Sequence, residues 1–323
     1  MNIFVSPKNY INFGINVVLG AFSPIIRKWE KRFIYKYSQQ PLKHQPLFII
    51  GTPRTGSTIL YQTLTNLYDV LYVDNLVCRF HRNFFFGFWL TNKLYGEKPH
   101  NNFESDHGNT KGLHSPSECG HFWYRWLPKD HHFIDHDEIL PETVEEIRRE
   151  ITAVINYFNK PIVFKNLNAG QRIRLLTRCF PSAKFLFITR KPSMTAQSIL
   201  KAKRSLGLSE NVFWSIMPKN INKLDKLEGF EQVVKQVYFL EKQIIDDSGL
   251  VANESFYIIQ YENLSVLYID NLAQSLGFIR RHDDTKIPDI KTHESISIDE
   301  KEYQVLQKQV EKLDWSFLPN KSN

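Results

Sequence analysis

The stretch from Leu47 to Leu60 constrains the fold of this chain more than any other part of it. It opens with four apolar residues, two of them β-branched, which predict a buried strand. These residues run into a turn bounded by Gly51 and Gly56, and the apolar and hydroxyl-bearing residues that follow predict the start of a helix. The first turn of such a helix leaves backbone N–H groups pointing outward, where the helix dipole adds positive potential. We therefore expect this loop to hold an anion such as phosphate or sulfate.

The spacing within this loop is close to the P-loop pattern G-x-x-x-x-G-K-[ST]. Gly51 and Gly56 take the glycine positions, and Thr58 takes the hydroxyl position. Ser57 stands where a nucleoside-triphosphate enzyme carries its lysine, and the cation lies inside the loop as Arg54. Because the lysine contact to the β- and γ-phosphates is missing, the pattern favours an anion other than a triphosphate. A plain strand-to-helix turn is the alternative interpretation.

Length and cysteine content restrict the class of protein. A chain of 323 residues with 42% hydrophobic content can bury a large core. Its three cysteines, Cys78, Cys119 and Cys179, include no C-x-x-C pair. The sequence therefore predicts neither a disulfide framework nor a cysteine zinc site, and we expect a reducing, cytoplasmic environment.

The formal net charge of +7 is concentrated in residues 1–45, which carry seven basic residues and one acidic residue. This N-terminal arm also contains an apolar run, Tyr10–Ile26, with helical spacing. The run is short for a membrane span, is broken by Asn16 and Pro24, and lacks the basic start of a signal peptide.

Two interpretations of the arm remain open. One is a peripheral membrane helix over residues 10–36, in which a basic cluster follows the apolar run. The other is a helix that packs on the domain with a solvated basic end. A nucleic-acid partner is not expected, because the charge is confined to one arm and no recognised binding motif accompanies it.

Residues 46–323 are predicted to form a single α/β domain. The predicted strands are Leu47–Ile50, Pro161–Lys165, Ala183–Arg190 and Phe256–Tyr261. Strands that alternate with helices predict a three-layer, P-loop-NTPase-like fold, with a parallel sheet flanked by helices. Arg54, Lys165 and Arg190 lie at or just past the carboxyl ends of strands, where ligands of such sheets bind. Three cations on one rim predict a polyanionic ligand.

Residues 76–140 are predicted to leave the sheet as an acceptor-side excursion of loops and helices. Its aromatic-rich part, Phe80–Tyr95, is typical of a core, and the alternative is the lining of an acceptor pocket. Further on, Ser115 and Pro116 predict a helix start with Glu118 in its first turn. Such a glutamate is commonly a capping or dipole partner.

Glu118 has a second interpretation, as a general base. It is bracketed by His114 and His121 in an aromatic surround, where a partly buried carboxylate can accept a proton. A later cluster contains His131, His132, Asp135 and His136. Its charged, proline-flanked setting and the lack of an H-E-x-x-H pattern favour a solvated loop, and no metal site is predicted.

Four sequence motifs, in the order in which the family has them, resemble those of sulfotransferases that use 3′-phosphoadenosine 5′-phosphosulfate (PAPS). The family loop P-[KR]-[ST]-G-[ST]-[ST] is matched by Pro53, Arg54, Thr55, Gly56, Ser57 and Thr58. A later strand that ends in Arg, with Ser eight residues on, is matched by Arg190 and Ser198. Residues 180–185 resemble the family's F-P-x-A-[KR]-[FL] entry to that strand, and residues 260–264 resemble its R-Y-E-D-L segment.

The resemblance implies that the loop grips the 5′-phosphosulfate of PAPS and that Arg190 and Ser198 hold its 3′-phosphate. The loop arginine and the lack of an R-K-G-x-x-G segment resemble the bacterial and carbohydrate-type branches, not the cytosolic aryl and steroid branch. In those branches a glutamate is often the base. Lys165 matches a family lysine, whereas Asn168 stands where a histidine is often found.

The implied activity is transfer of a sulfuryl group from PAPS to a hydroxyl or amine of a glycan, lipid or small molecule, with no metal. Glu118 would be the base, with His114 or His121 as second choices, and Arg54 and Lys165 would stabilise developing charge. Two other functions remain open. A P-loop small-molecule kinase would share the loop, and a non-enzymatic, membrane-associated binding protein would account for the basic arm.

Overall fold

A five-strand parallel sheet forms the centre of the molecule. The computed structural model describes residues 7–106, 108–227, 229–281, 285–292 and 294–318, with side chains from residue 22 onward. The strands are β1 (Leu47–Gly51), β2 (Leu71–Tyr72), β3 (Ile162–Lys165), β4 (Lys184–Thr189) and β5 (Phe256–Gln260). They lie in the order β2-β3-β1-β4-β5, and every neighbouring pair is parallel. The predicted α/β fold is confirmed.

Helices follow the strands and cover the sheet. In chain order they are α1 (Pro7–Ser38), α2 (Ser57–Leu67), α3 (Asn75–Arg79), α4 (Phe84–Tyr95), α5 (Gly120–Trp123), α6 (Pro141–Phe158), α7 (Ile173–Cys179), α8 (Pro192–Ser205), α9 (Ile221–Leu224), α10 (Gly229–Ser248), α11 (Val266–Ser275) and α12 (Glu300–Glu311). Helices α2, α7 and α8 come after β1, β3 and β4, so each supplies or begins the connection that the next parallel strand requires, and α11 follows the last strand, β5.

Both faces of the sheet are buried, which explains why the strands are apolar throughout. Successive side chains of a strand point to opposite faces. Phe48 and Ile50 of β1 therefore lie in one core, together with residues of α6, α7 and α10. Leu47 and Ile49 lie in a second core, with residues of α2 and α11. The strand sequence thus fixes a helix–sheet–helix sandwich.

The carboxyl ends of the inner strands meet at one rim. In the register of the sheet, Ile49 pairs with Lys165 and Gly51 pairs with Ile188, while Thr189 pairs with Gln260. The loops after β1, β3, β4 and β5 consequently leave the sheet at the same edge, where ligands of such folds bind.

Helix α1 is continuous across Pro24, so this proline interrupts the apolar run without ending the helix. Proline removes one backbone donor, but the following half of α1 packs on α6 and α4. Arg27 donates to Glu150 of α6 over 2.7 Å, and the backbone N–H of Phe86 donates to Glu30 over 3.1 Å. Among the described residues, no helix is both long and apolar enough to cross a bilayer.

The segment around Ser115 forms a turn, a bend and an isolated β-bridge of Pro116 with Asp74, so the helix predicted to start there is wrong. Helix α5 begins only at Gly120. The preceding backbone is held by residues after β2: Asn75 donates to the carbonyl of Ser115 over 3.0 Å, and Ser117 donates to that of Val73 over 2.8 Å. Because these donors and acceptors pair outside a helix, Glu118 lies in a loop just before α5.

This pairing also brings two cysteines together. Cys78 of α3 and Cys119, the residue before α5, form a disulfide with a Cα–Cα distance of 5.3 Å. The prediction of no disulfide is therefore wrong, because the two residues are 41 positions apart and meet only through tertiary structure. Cys179 is free and buried, and burial raises the pKa of its thiol to about 12.

Candidate active site

The loop between β1 and α2 has a backbone that glycine makes possible. Gly56 caps α2 with φ +83°, in the left-handed region. A Cβ atom there would lie 2.5 Å from Cδ2 of Tyr261. The start of α2 can thus approach the end of β5 closely, and its N–H groups face the shared rim.

Arg54, Ser198 and Arg190 meet at this rim although they are far apart in sequence. The Nε of Arg54 donates to Oγ of Ser198 over 3.1 Å, and Nη1 of Arg190 donates to the carbonyl of Arg54 over 3.3 Å. Burial, and then the charge of Arg190, lower the pKa of Arg54. Two guanidinium groups held close together are the arrangement expected of an anion site.

Lys165, Glu118 and Thr58 form a second group beside the loop. Lys165 is buried at the end of β3, where its Nζ forms an ion pair with Glu118 and donates to Oγ1 of Thr58 over 3.1 Å. Glu118 remains partly exposed. A Cβ on Gly108 would lie 3.1 Å from Oε1 of Glu118, so the backbone of Gly108 lies directly against the pair.

These two groups line one cavity of about 320 Å³. The predicted site residues on its wall are Pro53, Arg54, Gly56, Ser57, Thr58, Glu118, Lys165, Arg190 and Ser198. Thr55 is buried and is not part of the wall; its Oγ1 donates to the carbonyl of Thr52 over 2.9 Å, which braces the loop. The cavity can therefore surround an elongated anion with cations at several points.

His114 does not lie on the wall of the cavity that contains Glu118. Its Nδ1 is 3.1 Å from Oδ2 of Asp74, its Nε2 is 3.0 Å from the carbonyl of Lys98, and its ring stacks on Tyr95. His114 and Lys98 line a separate cavity of about 250 Å³. His121 is exposed, with its ring 5.5 Å from that of His81. The structure brings neither histidine to the wall that carries Glu118.

Sequence reasoning missed several residues of the wall. Arg190 lies over the ring of Tyr261, with its Cζ 4.3 Å from the ring centre. Trp214, Ile216 and Asn168 also face the cavity, and Nδ2 of Asn168 donates to the hydroxyl of Tyr124 over 3.1 Å. Tyr261 carried a usable signal, since it directly follows β5. Trp214 and Ile216 lie in a loop without a periodic pattern, so nothing in the sequence marked them.

The histidine-rich segment is bound to protein groups. The imidazole of His132 accepts from the backbone N–H of Met217 over 2.9 Å, and Asp135 binds Lys219 over 3.0 Å and caps the turn that follows. Within the described ranges, no group of three or more His, Cys, Asp or Glu residues is placed to hold a metal ion.

The parallel sheet flanked by helices defines an α/β protein of the P-loop-like kind, with a cation-rich cavity beside its first loop. Residues 46–266 match the sequence model of the Sulfotransferase family. The chain belongs to this family.

Two curated relatives are the omega-hydroxy-beta-dihydromenaquinone-9 sulfotransferases Stf3 of Mycobacterium bovis and Mycobacterium tuberculosis. Each is 24% identical to the chain over 272 residues, which cover 77% of the chain and 65% of the relative. The aligned part thus spans less than two thirds of these relatives.

Solved structures share the fold. Sulfotransferase STF1 of Mycobacterium tuberculosis H37Rv superimposes with a TM-score of 0.52 at 14% identity, over 95% of this chain and 85% of that one. Sulfotransferase STF9 of Mycobacterium avium gives a TM-score of 0.51 at 13% identity, over 78% and 68% of the two chains.

Proposed function

We propose that the protein transfers a sulfuryl group from PAPS to a hydroxyl or amine of an acceptor. The observation that carries this proposal is the contact between Arg54 and Ser198 in the wall of one cavity. It joins the two regions that the family resemblance assigns to the two ends of PAPS. The cavity lies at the carboxyl ends of the strands, as expected for a nucleotide in this fold.

The charges of the cavity fit such a donor. Arg54, Lys165 and Arg190 contribute three cations to the wall, against the single carboxylate of Glu118. We propose that the backbone N–H groups of residues 54–58 bind the 5′-phosphosulfate and that Arg190 and Ser198 bind the 3′-phosphate. Forked guanidinium groups suit both anions.

In the proposed reaction, PAPS supplies the sulfuryl group. Glu118 takes the proton of the acceptor hydroxyl, while Arg54 and Lys165 neutralise charge on the sulfuryl and leaving phosphate oxygens. The existing ion pair suits this role, because Glu118 holds Lys165 in place and neutralises it until an anion arrives. Thr58 keeps the ammonium oriented toward the loop.

The acceptor class is a glycan, a lipid or a small alcohol or phenol. Leu167, Trp214 and Ile216 give the cavity an apolar side, which favours an acceptor with apolar surface near its hydroxyl. The name of Stf3 likewise gives a hydroxyl-bearing acceptor for that relative. We further propose peripheral contact with a membrane through residues 10–36; the disulfide removes the reason for which a reducing, cytoplasmic environment was expected.

Calorimetry separates this function from its rivals. Binding of 3′,5′-ADP without magnesium supports the sulfotransferase, preferential binding of ATP with magnesium supports a kinase, and binding of neither supports a non-enzymatic protein. Arg54→Ala and Arg190→Ala should each weaken the binding of 3′,5′-ADP. Arg54→Ala should also slow sulfuryl transfer on the order of 10²-fold. Arg178→Ala, an exposed arginine of α7, is the matched control.

The acceptor can be sought directly. Cells with and without the gene would be labelled with radioactive sulfate, and their lipids and polysaccharides compared by mass spectrometry. A sulfated product that disappears with the gene and with Glu118→Gln identifies the acceptor. If no labelled product depends on the gene, the proposed transfer is wrong.

A further inference from the structure

Helices α1 and α4 together form an apolar surface that neither helix would form alone. The ring of Trp29 on α1 lies 5.3 Å from that of Trp89 and 5.7 Å from that of Phe86, both on α4. With Ile25 and Ile26, these rings line a groove of about 260 Å³ whose wall is almost wholly apolar. We call this groove and the exposed residues around it the α1–α4 surface.

Large apolar side chains around the groove face solvent. Phe22 is 55% exposed and Ile25 is 68% exposed, and both lie on α1. Phe22, Ile25 and Trp29 follow one another at intervals of three and four, so they share one helix face. Contiguous exposed apolar groups of this kind mark an interaction site.

Basic residues border this apolar face. Lys28, Arg32 and Lys36 are exposed at intervals of four along α1, and Lys93 of α4 lies over the ring of Trp89, with Nζ 6.0 Å from the ring centre. Glu30 is the single acidic residue between residues 7 and 38, and α4 has none.

Glu30 does not offset these cations at the surface. Its side chain is buried, and it accepts hydrogen bonds from Arg27, from Asn83 and from the backbone of Phe86. The single negative charge of α1 therefore points into the protein, whereas Lys28, Arg32 and Lys36 are exposed to solvent. Aromatic rings bordered by exposed cations match the interface of a bilayer with anionic headgroups.

We infer that the α1–α4 surface binds an anionic lipid bilayer, with its rings at the level of the headgroups and its basic residues on the lipid phosphates. The inferred surface extends the membrane contact proposed for residues 10–36 onto α4. The inference rests on that proposed membrane contact and does not depend on the proposed sulfuryl transfer. A second copy fits less well, because a two-fold contact would place the basic border of one copy against that of the other.

Vesicle co-sedimentation of the full chain tests the inference. Vesicles of phosphatidylcholine alone and of phosphatidylcholine mixed with phosphatidylglycerol would be compared at low and high salt. We expect binding to the anionic vesicles only, and weaker binding at high salt. Lys28→Glu/Arg32→Glu and Phe22→Ser/Ile25→Ser should each lower the affinity on the order of tenfold or more.

Two matched controls isolate the surface. Lys223→Glu/Lys226→Glu reverses two exposed lysines at α9, and Leu267→Ser removes a 71% exposed apolar residue of α11. Both should bind vesicles as the parent protein does. Equal vesicle binding by all variants would overturn the inference, as would a dimer that only the α1–α4 substitutions dissociate and that binds no vesicle.

The same variants are also titrated with 3′,5′-ADP. Retained nucleotide binding shows that the fold and donor site are intact, so a failure of vesicle binding then concerns the α1–α4 surface alone. If the parent protein instead binds vesicles but does not bind 3′,5′-ADP, the proposed sulfuryl transfer is wrong.

Discussion

At the scale of single residues, the ion pair of Glu118 and Lys165 both stabilises a buried charge and holds the proposed base. A buried ammonium is costly unless it is paired, and Lys165 gains both a carboxylate and the hydroxyl of Thr58. An arriving anion can replace the carboxylate as the partner of Lys165. Glu118 would then be released beside the reaction centre when a base is needed.

Glu118→Gln tests this exchange. Glutamine keeps the shape of the side chain but cannot take a proton, so kcat should fall on the order of 10²- to 10⁴-fold. The affinity for 3′,5′-ADP should be kept or increased, because Lys165 loses its acidic competitor. Steady-state kinetics and calorimetry measure the two effects. Glu104→Gln, at an exposed position, should change neither; unaltered turnover in Glu118→Gln would refute the base.

Gly56 is a second position at which one atom matters. Alanine there would have φ +83° and a Cβ atom 2.5 Å from the ring of Tyr261, which lies beneath Arg190. We expect Gly56→Ala to cost about 1–3 kcal/mol in the free energy of unfolding and to weaken 3′,5′-ADP binding. Denaturant unfolding checks the first effect. Gly249→Ala, whose Cβ would meet nothing closer than 4.0 Å, serves as the control.

At the scale of elements, local patterns predicted the strands and long helices, because each is apolar with a clear period. The helical spacing of Val144, Ile147 and Ile151 predicts a helix over residues 142–158, and α6 spans Pro141–Phe158. The predicted strand 256–261 is β5. The same reasoning predicted that Arg54, Lys165 and Arg190 share a rim. The contacts of residues 113–121 could not be predicted, since their backbone pairs with residues 73–76 and not locally. The disulfide and the position of His114 follow from that pairing.

The disulfide links two parts of the acceptor-side excursion, residues 76–140, next to Glu118 of the candidate active site. It joins α3 to the residue after Glu118 and links two positions that are 41 residues apart in the chain. Reduction should lower the free energy of unfolding by about 2–4 kcal/mol, chiefly because the unfolded chain regains freedom. Urea unfolding of the oxidised protein, the reduced protein and Cys78→Ser/Cys119→Ser measures this. Reductant should leave the free energy of unfolding of the double variant unchanged, whereas it should lower that of Cys179→Ser as it lowers that of the parent protein. An equal response of the parent, the double variant and Cys179→Ser would contradict the disulfide between Cys78 and Cys119.

At the scale of the whole molecule, buried histidines connect separate parts of the fold. The imidazole of His132 accepts from the backbone of Met217, so it ties the excursion to the loop that carries Trp214 and Ile216. Burial, and then the charge of Arg172, lower the pKa of His132 to about 4. Burial likewise lowers the pKa of His100 to about 3. Both side chains are therefore neutral in the folded protein at neutral pH.

This predicts a loss of stability in mild acid. Between the folded pKa of about 4 and the ordinary value of 6.5, the unfolded chain binds the proton of His132 and the folded protein does not. The free energy of unfolding should therefore fall as the pH is lowered through this window, by about 1.4 kcal/mol per pH unit for each such histidine. Urea unfolding at pH 7 and pH 5 measures the fall.

His132→Gln isolates one contribution, because a glutamine oxygen can still accept from Met217 while its amide cannot titrate. The variant should lose about 2 kcal/mol less than the parent between pH 7 and pH 5. His131→Gln, at an exposed neighbour, should follow the parent. If His132→Gln instead loses as much as the parent, His132 must gain its proton without unfolding. The contact between the excursion and the Met217 loop would then open locally, and the cavity's apolar side would depend on pH in the folded state.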